Sequence, residues 1–192
     1  MSCRKSYNTP GHANFLTFAG WWRQPFLLDP ETRLAFVQAL SEARSRERFD
    51  IRAYVLMPEH VHLLIRPALE SYEIARILRR IKEPVSRRVL SGWRNDHPIR
   101  LDAAADATAG PTTHRFWQPG GGFDRNLYCA DRIDNAMAYV EWNPVRRGLV
   151  SHPLDWEWSS ARARSGRTDV PLRVDELKWE NRPGEKTVFA TH

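Results

Sequence analysis

Two cysteines in 192 residues exclude a disulfide framework, and Cys3 and Cys129 stand too far apart for the ligand spacing of a zinc site. A reducing compartment fits that usage. No stretch approaches the roughly eighteen apolar residues of a membrane span, and the opening MSCRKSYNTPGH has no apolar core of a secretory signal. The expectation is a cytoplasmic, nucleoid-associated protein with no membrane partner. The one glycine run, Gly120 to Gly122, is followed by Phe-Asp-Arg where a phosphate-cradling P-loop needs Lys-Ser/Thr, so it reads as a flexible turn. Neither an internal repeat nor a clear second domain is visible.

What is present is a basic chain with a substantial core. Lys and Arg total 29 against 23 acidic residues, a net charge of +6, and most of the excess is Arg, whose planar fork matches phosphate oxygens. Hydrophobic residues make up 42%, with eight Trp and eight Phe, enough for one folded domain. The charge alone fits ordinary solubility as well as a nucleic-acid partner; Arg mixed with Trp favours the second.

Along the chain, NFLTFA (14–19) reads as a first strand, with Phe15, Thr17 and Ala19 on one face and Leu16 and Phe18 on the other. GWWRQPFLL reads as loop or strand extension. Asp29-Pro30 is a helix start, and Leu34, Val37, Leu40 and Ala43 give an apolar stripe to about residue 47. IRAYVLM (51–57) is a second strand, joined by Met57-Pro58-Glu59 to a third, so the two should form an antiparallel hairpin. Ser71 is placed to cap the next helix, whose apolar face runs Ile74, Ile77, Leu78, Ile81, Val85 and Val89. Its basic face carries Arg76, Arg79, Arg80, Lys82, Arg87 and Arg88, a phosphate track or a solvated face. Pro84 is expected to kink or split that helix near Lys82. Residues 95–114 lack periodicity and read as a mobile surface insertion. RFWQ (115–118) reads as the last strand. From Asp131 a helix turns Ile133, Met137 and Val140 inward until Pro144 ends it.

The order β, α, β, β, α, β, then a helix predicts an α+β, ferredoxin-like split βαβ sheet. Helices cover one face, the other is left for a ligand, and an irregular tail follows. The domain is expected over 12–150, with 151–192 contacting DNA or packing on the domain.

Within the third strand, YVLMPEHVHLLIRP (54–67), alternation puts His60, His62, Leu64 and Arg66 on one face and Val61, Leu63 and Ile65 on the other. A bare His-x-His is more often an incidental pair than a metal site. Tyr139 and Asn143, four apart before Pro144, share a helix face; each alone is commonly a core-edge tyrosine or a turn asparagine. Should that helix pack beside the histidine strand, one pocket would hold two imidazoles, an amide oxygen and a phenol, donors that suit a first-row divalent ion or Mg.

The His60-Val61-His62 element in YVLMPEHVHLLI, followed by YVEWNPVRRGLV at 139–150, resembles the single-tyrosine HUH transposases, specifically the REP-associated tyrosine transposase branch. The resemblance spans roughly residues 12–160. It implies a ferredoxin-like fold, a divalent metal (Mg or Mn) on His60 and His62 with Asn143 completing the site, and Tyr139 as nucleophile. Glu141 and Trp142 depart from residues common in relatives, His and Leu, without touching those positions. The function implied is a single-strand DNA endonuclease and strand transferase, forming a 5′-phosphotyrosine on hairpin-forming DNA such as REP elements, with homodimerisation open. DNA contacts are expected from Arg76, Arg79, Arg80, Arg87, Arg88, Arg146, Arg147 and Trp117. The alternative is a non-catalytic nucleic-acid-binding protein derived from a transposase; a water-using metal hydrolase ranks last, for want of a further carboxylate ligand set.

Overall fold

The computed structural model describes residues 8–110 and 112–175, so Cys3 and the chain beyond 175 lie outside the described residues. Strands β1 (Ala13–Ala19), β2 (Phe49–Leu56), β3 (His60–Pro67) and β4 (Phe123–Leu127) form one sheet in the order β2-β3-β1-β4. Every neighbouring pair is antiparallel, which is the ferredoxin-like arrangement expected. Helices α1 (Pro30–Glu47), α2 (Ile74–Asp96), α3 (Pro98–Ala103), α4 (Ala130–Glu141), α5 (Asn143–Arg146) and α6 (Ala161–Arg164) complete the set, with 3-10 turns at Trp21–Arg23, Phe26–Leu28 and Pro153–Asp155. Among the described residues no helix is long and apolar enough to cross a membrane.

Strand alternation divides the interior in two. Leu16, Phe18, Ile51, Tyr54, Leu56, Val61, Leu63 and Ile65 point to the larger core, where the inward faces of α1 and α2 meet them. Ala13, Ala53, Val55 and Leu64 point the other way and are covered by Ile133, Met137 and Val140 of α4. The histidine face is therefore not a bare sheet: α4 lies across part of it.

Helix α1 begins as expected, with the Asp29 carboxylate accepting from the Thr32 amide at 3.0 Å and Pro30 in the first turn. Its inward face centres on Phe36, Leu40 and Ala43, which leaves Leu34 half exposed. Helix α2 starts at Ile74, after Glu73 rather than after Ser71, and runs unbroken through Pro84. Its buried residues Ile77, Ile81, Val85 and Val89 hold it on both sides of the lost backbone donor.

Two further expectations are corrected. RFWQ is not a strand, because Phe116 and Trp117 are both buried among aromatic rings, whereas successive residues of a strand point to opposite faces. Only Trp117 bridges, to Gly20, and the last strand is FDRNL. Nor is the 95–114 segment a structureless loop. It contains the end of α2 and all of α3; Ala104 is fully buried, the Ala105 carbonyl accepts from the Trp21 indole at 3.0 Å, and the Asp106 carboxylate pairs with Arg115.

Of the described residues beyond 150, those from 158 to 175 pack along β2. The Leu56 amide donates to the Trp158 carbonyl and the Ser160 amide to the Tyr54 carbonyl, both at 2.9 Å, while Ile51 exchanges two hydrogen bonds with Asp175. Ser160 and Arg164 donate to the Glu141 carboxylate at the end of α4, at 2.7 and 2.9 Å.

Gly122 turns the chain into β4 with φ +73°, and a Cβ there would sit 2.0 Å from the Thr17 carbonyl oxygen. Gly122→Ala is expected to cost about 2–4 kcal/mol through strain and displaced pairing, read as a lower denaturant midpoint; an unchanged midpoint would show that β1 and β4 do not need this close approach.

Candidate active site

The hairpin connection into β3 is pinned from outside and within. Gly20 donates its amide to the Glu59 carbonyl at 2.9 Å, Leu27 donates to Pro58 at 3.0 Å, and Met57 donates to His60 at 2.9 Å. His60 therefore opens β3 in a fixed orientation, and alternation brings His62 out beside it. Their Nε2 atoms lie 3.0 Å apart with the rings nearly perpendicular.

His62 is held by its strand neighbour. Thr17 lies opposite it in the register, and the Thr17 hydroxyl contacts His62 Nδ1 at 2.7 Å. Phe15, two residues earlier on the same face of β1, stacks on the His62 ring with centroids 5.6 Å apart. Burial pushes the His62 imidazolium down to about 3 and lowers His60 as well, so both rings are neutral near pH 7 and offer nitrogen lone pairs.

Helix α4 brings the phenol. Met137 and Val140 anchor it to the sheet, and Tyr139 at the edge of that contact stands edge-on to His62 at 5.4 Å and to Phe15 at 6.0 Å. It stays 41% exposed, and the Arg146 guanidinium lies 5.0 Å over its ring. Asn143 is not on α4 but opens α5, where Pro144 takes an early helical position. Its amide nitrogen approaches His62 Nε2 at 3.2 Å, while its Oδ1 is buried without a partner, on a residue 5% exposed.

That orphaned oxygen tests the fit to a metal. A half-turn of the carboxamide exchanges its two ends, which turns Oδ1 toward the Nε2 atoms of His60 and His62. Two neutral imidazoles and an amide oxygen fit a divalent ion such as Mg or Mn, and these three residues are the ones that would hold it. Among the described residues no group of three His, Cys, Asp or Glu side chains is arranged for a metal, so a third protein donor beside the two imidazoles would be the Asn143 amide.

Of the residues expected to contact DNA, Arg146 and Arg147 lie at this site. Arg76 and Arg80 instead bind the buried Glu47 carboxylate between α1 and α2, Arg87 pairs with Glu83 at 3.0 Å, and Arg88 donates to Gln38 at 2.5 Å. Arg79 lines the same α1–α2 groove, on the side of the sheet away from the histidines. Trp117 is corrected outright: it is 6% exposed, packs on Phe18, Phe36 and Phe116, and donates its indole N–H to the Lys82 carbonyl, so no base can stack on it.

Sequence reasoning missed Phe15 and Thr17 as site residues, although alternation had put them on one face of the first strand. It also missed Glu59, adjacent to His60, whose Oε1 lies 3.1 Å from His60 Nδ1 and receives Arg147 at 3.0 Å and Arg23 at 3.4 Å. Thr17→Val removes the partner that fixes the His62 ring, and is expected to weaken Mn binding by about 10- to 100-fold with the fold retained. Calorimetric titration checks this, and undiminished affinity would refute it.

The family model described as "Transposase IS200 like" matches residues 19–98, which include both histidines. A REP-associated tyrosine transposase of Haemophilus influenzae is 24% identical over 177 residues, spanning 88% of this chain and 93% of the relative. The solved structure of a REP-associated tyrosine transposase bound to a REP hairpin matches with a TM-score of 0.64 and 19% identity. That match covers 100% of this chain and 99% of that one, and at such identity it speaks for the fold. The resemblance drawn from the paired histidines and the Tyr139 segment therefore holds: this chain is similar to the REP-associated tyrosine transposases, with an IS200-like transposase match over residues 19–98.

Proposed function

We propose that the protein is a metal-dependent single-strand DNA endonuclease and strand transferase acting on hairpin-forming DNA of the REP type. The observation that carries this reading is the meeting of an accessible tyrosine with two neutral imidazoles and an unpartnered amide oxygen, where Tyr139 and His62 stand 5.4 Å apart. The solved relative bound to a REP hairpin supports hairpin DNA as the substrate class.

A bound divalent ion supplies polarisation of a phosphoryl oxygen. The rest is done by the chain. The Tyr139 oxygen forms a bond to phosphorus as the bond from phosphorus to the 3′ oxygen breaks, and the phenol proton is balanced by the one gained at the free 3′-hydroxyl. A 5′-phosphotyrosine results, and a second 3′-hydroxyl reverses the step to reseal the strand. One phosphodiester is exchanged for another, so no nucleotide hydrolysis is required. Phe15 and Arg146 hold the Tyr139 ring in place from its edge and face.

A labelled hairpin oligonucleotide with Mn or Mg is expected to give a covalent adduct with the native protein and none with Tyr139→Phe. Chelation, or His60→Ala with His62→Ala, should abolish cleavage while leaving binding within several-fold, because phosphate contacts carry most affinity. Binding without cleavage under any metal would instead leave a non-catalytic DNA-binding protein.

Tyr139 and His62 of the same chain are in ring contact, which supports a site built within one chain. Mixing Tyr139→Phe with His60→Ala is therefore expected to restore no adduct; recovery on mixing would place the tyrosine helix in a partner's site.

A further inference from the structure

Glu59 is 9% exposed, and a single oxygen, Oε1, gathers three groups from three parts of the fold. Arg23 reaches it from the turn after β1 at 3.4 Å, Arg147 from the turn after α5 at 3.0 Å, and His60 Nδ1 lies at 3.1 Å. The histidine contact is off the line of a hydrogen bond, leaving His60 Nδ1 without one. Two guanidiniums share one carboxylate, so the cluster keeps a net positive charge. Each arginine commits its Nη2 to Glu59, yet their side chains are 64% and 51% exposed, which leaves the remaining N–H groups of both forks facing solvent.

The backbone is distorted to deliver one of them. Trp22 and Arg23 both adopt left-handed conformations, with φ +49° and +54°, which non-glycine residues adopt only when their surroundings impose it. Here the Trp22 amide is tied to the Gln118 side chain at 3.2 Å and the Arg23 amide to the Gly20 carbonyl at 3.0 Å. An ordinary surface ion pair requires no such distortion.

We propose that Glu59 organises a two-arginine clamp in which Arg23 and Arg147 bind a backbone phosphate of the single strand entering the site. This rests on the DNA-processing reading above. The clamp is indexed to the histidines because its anchor is the residue next to His60. Glu59 is thus a positioning residue, and Arg23 and Arg147 are the groups that touch the substrate.

The test measures fluorescence anisotropy of a hairpin oligonucleotide with an unpaired flank, bound by the full chain in chelator across a series of salt concentrations. Arg23→Gln and Arg147→Gln should each weaken binding about tenfold at low salt, as expected for one charge-assisted contact. The variant carrying both changes should also flatten the dependence of log K on log salt by about 0.7, one phosphate of a single strand. Glu59→Gln decides between positioning and bulk charge: removing an acid tightens DNA binding if charge alone acts, whereas loss of the anchor weakens it. Thermal melting of each variant separates loss of the clamp from loss of the fold, and should Glu59→Gln melt early the two arginine variants, both half exposed, carry the test. Unchanged affinity and slope in the arginine variants, or tighter binding by a folded Glu59→Gln, overturns the clamp alone. If the native protein binds no hairpin oligonucleotide, the clamp and the functional reading fall together.

Discussion

Strand β3 is hydrogen-bonded along both edges, to β1 and to β2, and its register cannot slip without moving both neighbours. A slip of one residue would exchange its faces, sending His60 and His62 into the larger core and Val61, Leu63 and Ile65 out of it. Each of those aliphatic side chains is fully buried, worth about 1.5–3 kcal/mol apiece. The hydrophobic effect thus fixes the direction of two polar rings that it does not itself touch. The position of Thr17 follows from the same pairing, since register alone sets it opposite His62.

The second face shows the opposite balance. Thr17, Glu59, His60, His62 and Asn143 bring polar groups to a place where an apolar cluster would stabilise the fold more simply, and the Asn143 oxygen gains no partner for its burial. A buried, unpaired oxygen costs about 1–3 kcal/mol. These groups converge from β1, the turn before β3, β3 itself and α5 on one point beside the accessible phenol that α4 carries, an arrangement that stability alone does not call for. The α1–α2 arginines are of another kind: Glu47 takes up Arg76 and Arg80, so part of the charge that made that helix look like a phosphate track ties two helices together.

Much of this was legible in the sequence because it rests on short-range periodicity. Val61, Leu63 and Ile65 reported the strand, Ile74 through Val89 the helix behind it, and Ile133, Met137 and Val140 the helix that carries Tyr139. What could not be read depends on contacts made at long range. Phe116 and Trp117 mimic a strand, yet they are two successive side chains drawn into one aromatic cluster, which no local pattern announces. The FDRNL strand is short and carries charges, so its pairing with β1 is visible only once Gly122 has allowed the close approach. Glu59 stood beside His60 throughout, but its meaning comes from Arg23 and Arg147, 36 residues before it and 88 after it in the chain.

Helix α4 and the outer edge of the sheet are secured by the same stretch of chain. Residues 158–175 lie against β2 and take up backbone groups of Ile51, Tyr54 and Leu56, while Ser160 and Arg164 from that stretch hold Glu141 at the end of α4. An uncovered β2 would be an adhesive border, open to strands of other chains, whereas the opposite border, β4, is only five residues long and charged. The covering segment is therefore a latch with two bolts: one covers the border of the sheet, the other steadies the helix that carries Tyr139. Cover of the sheet edge and the placement of Tyr139 are bound to the same few residues, so selection on either one constrains the other.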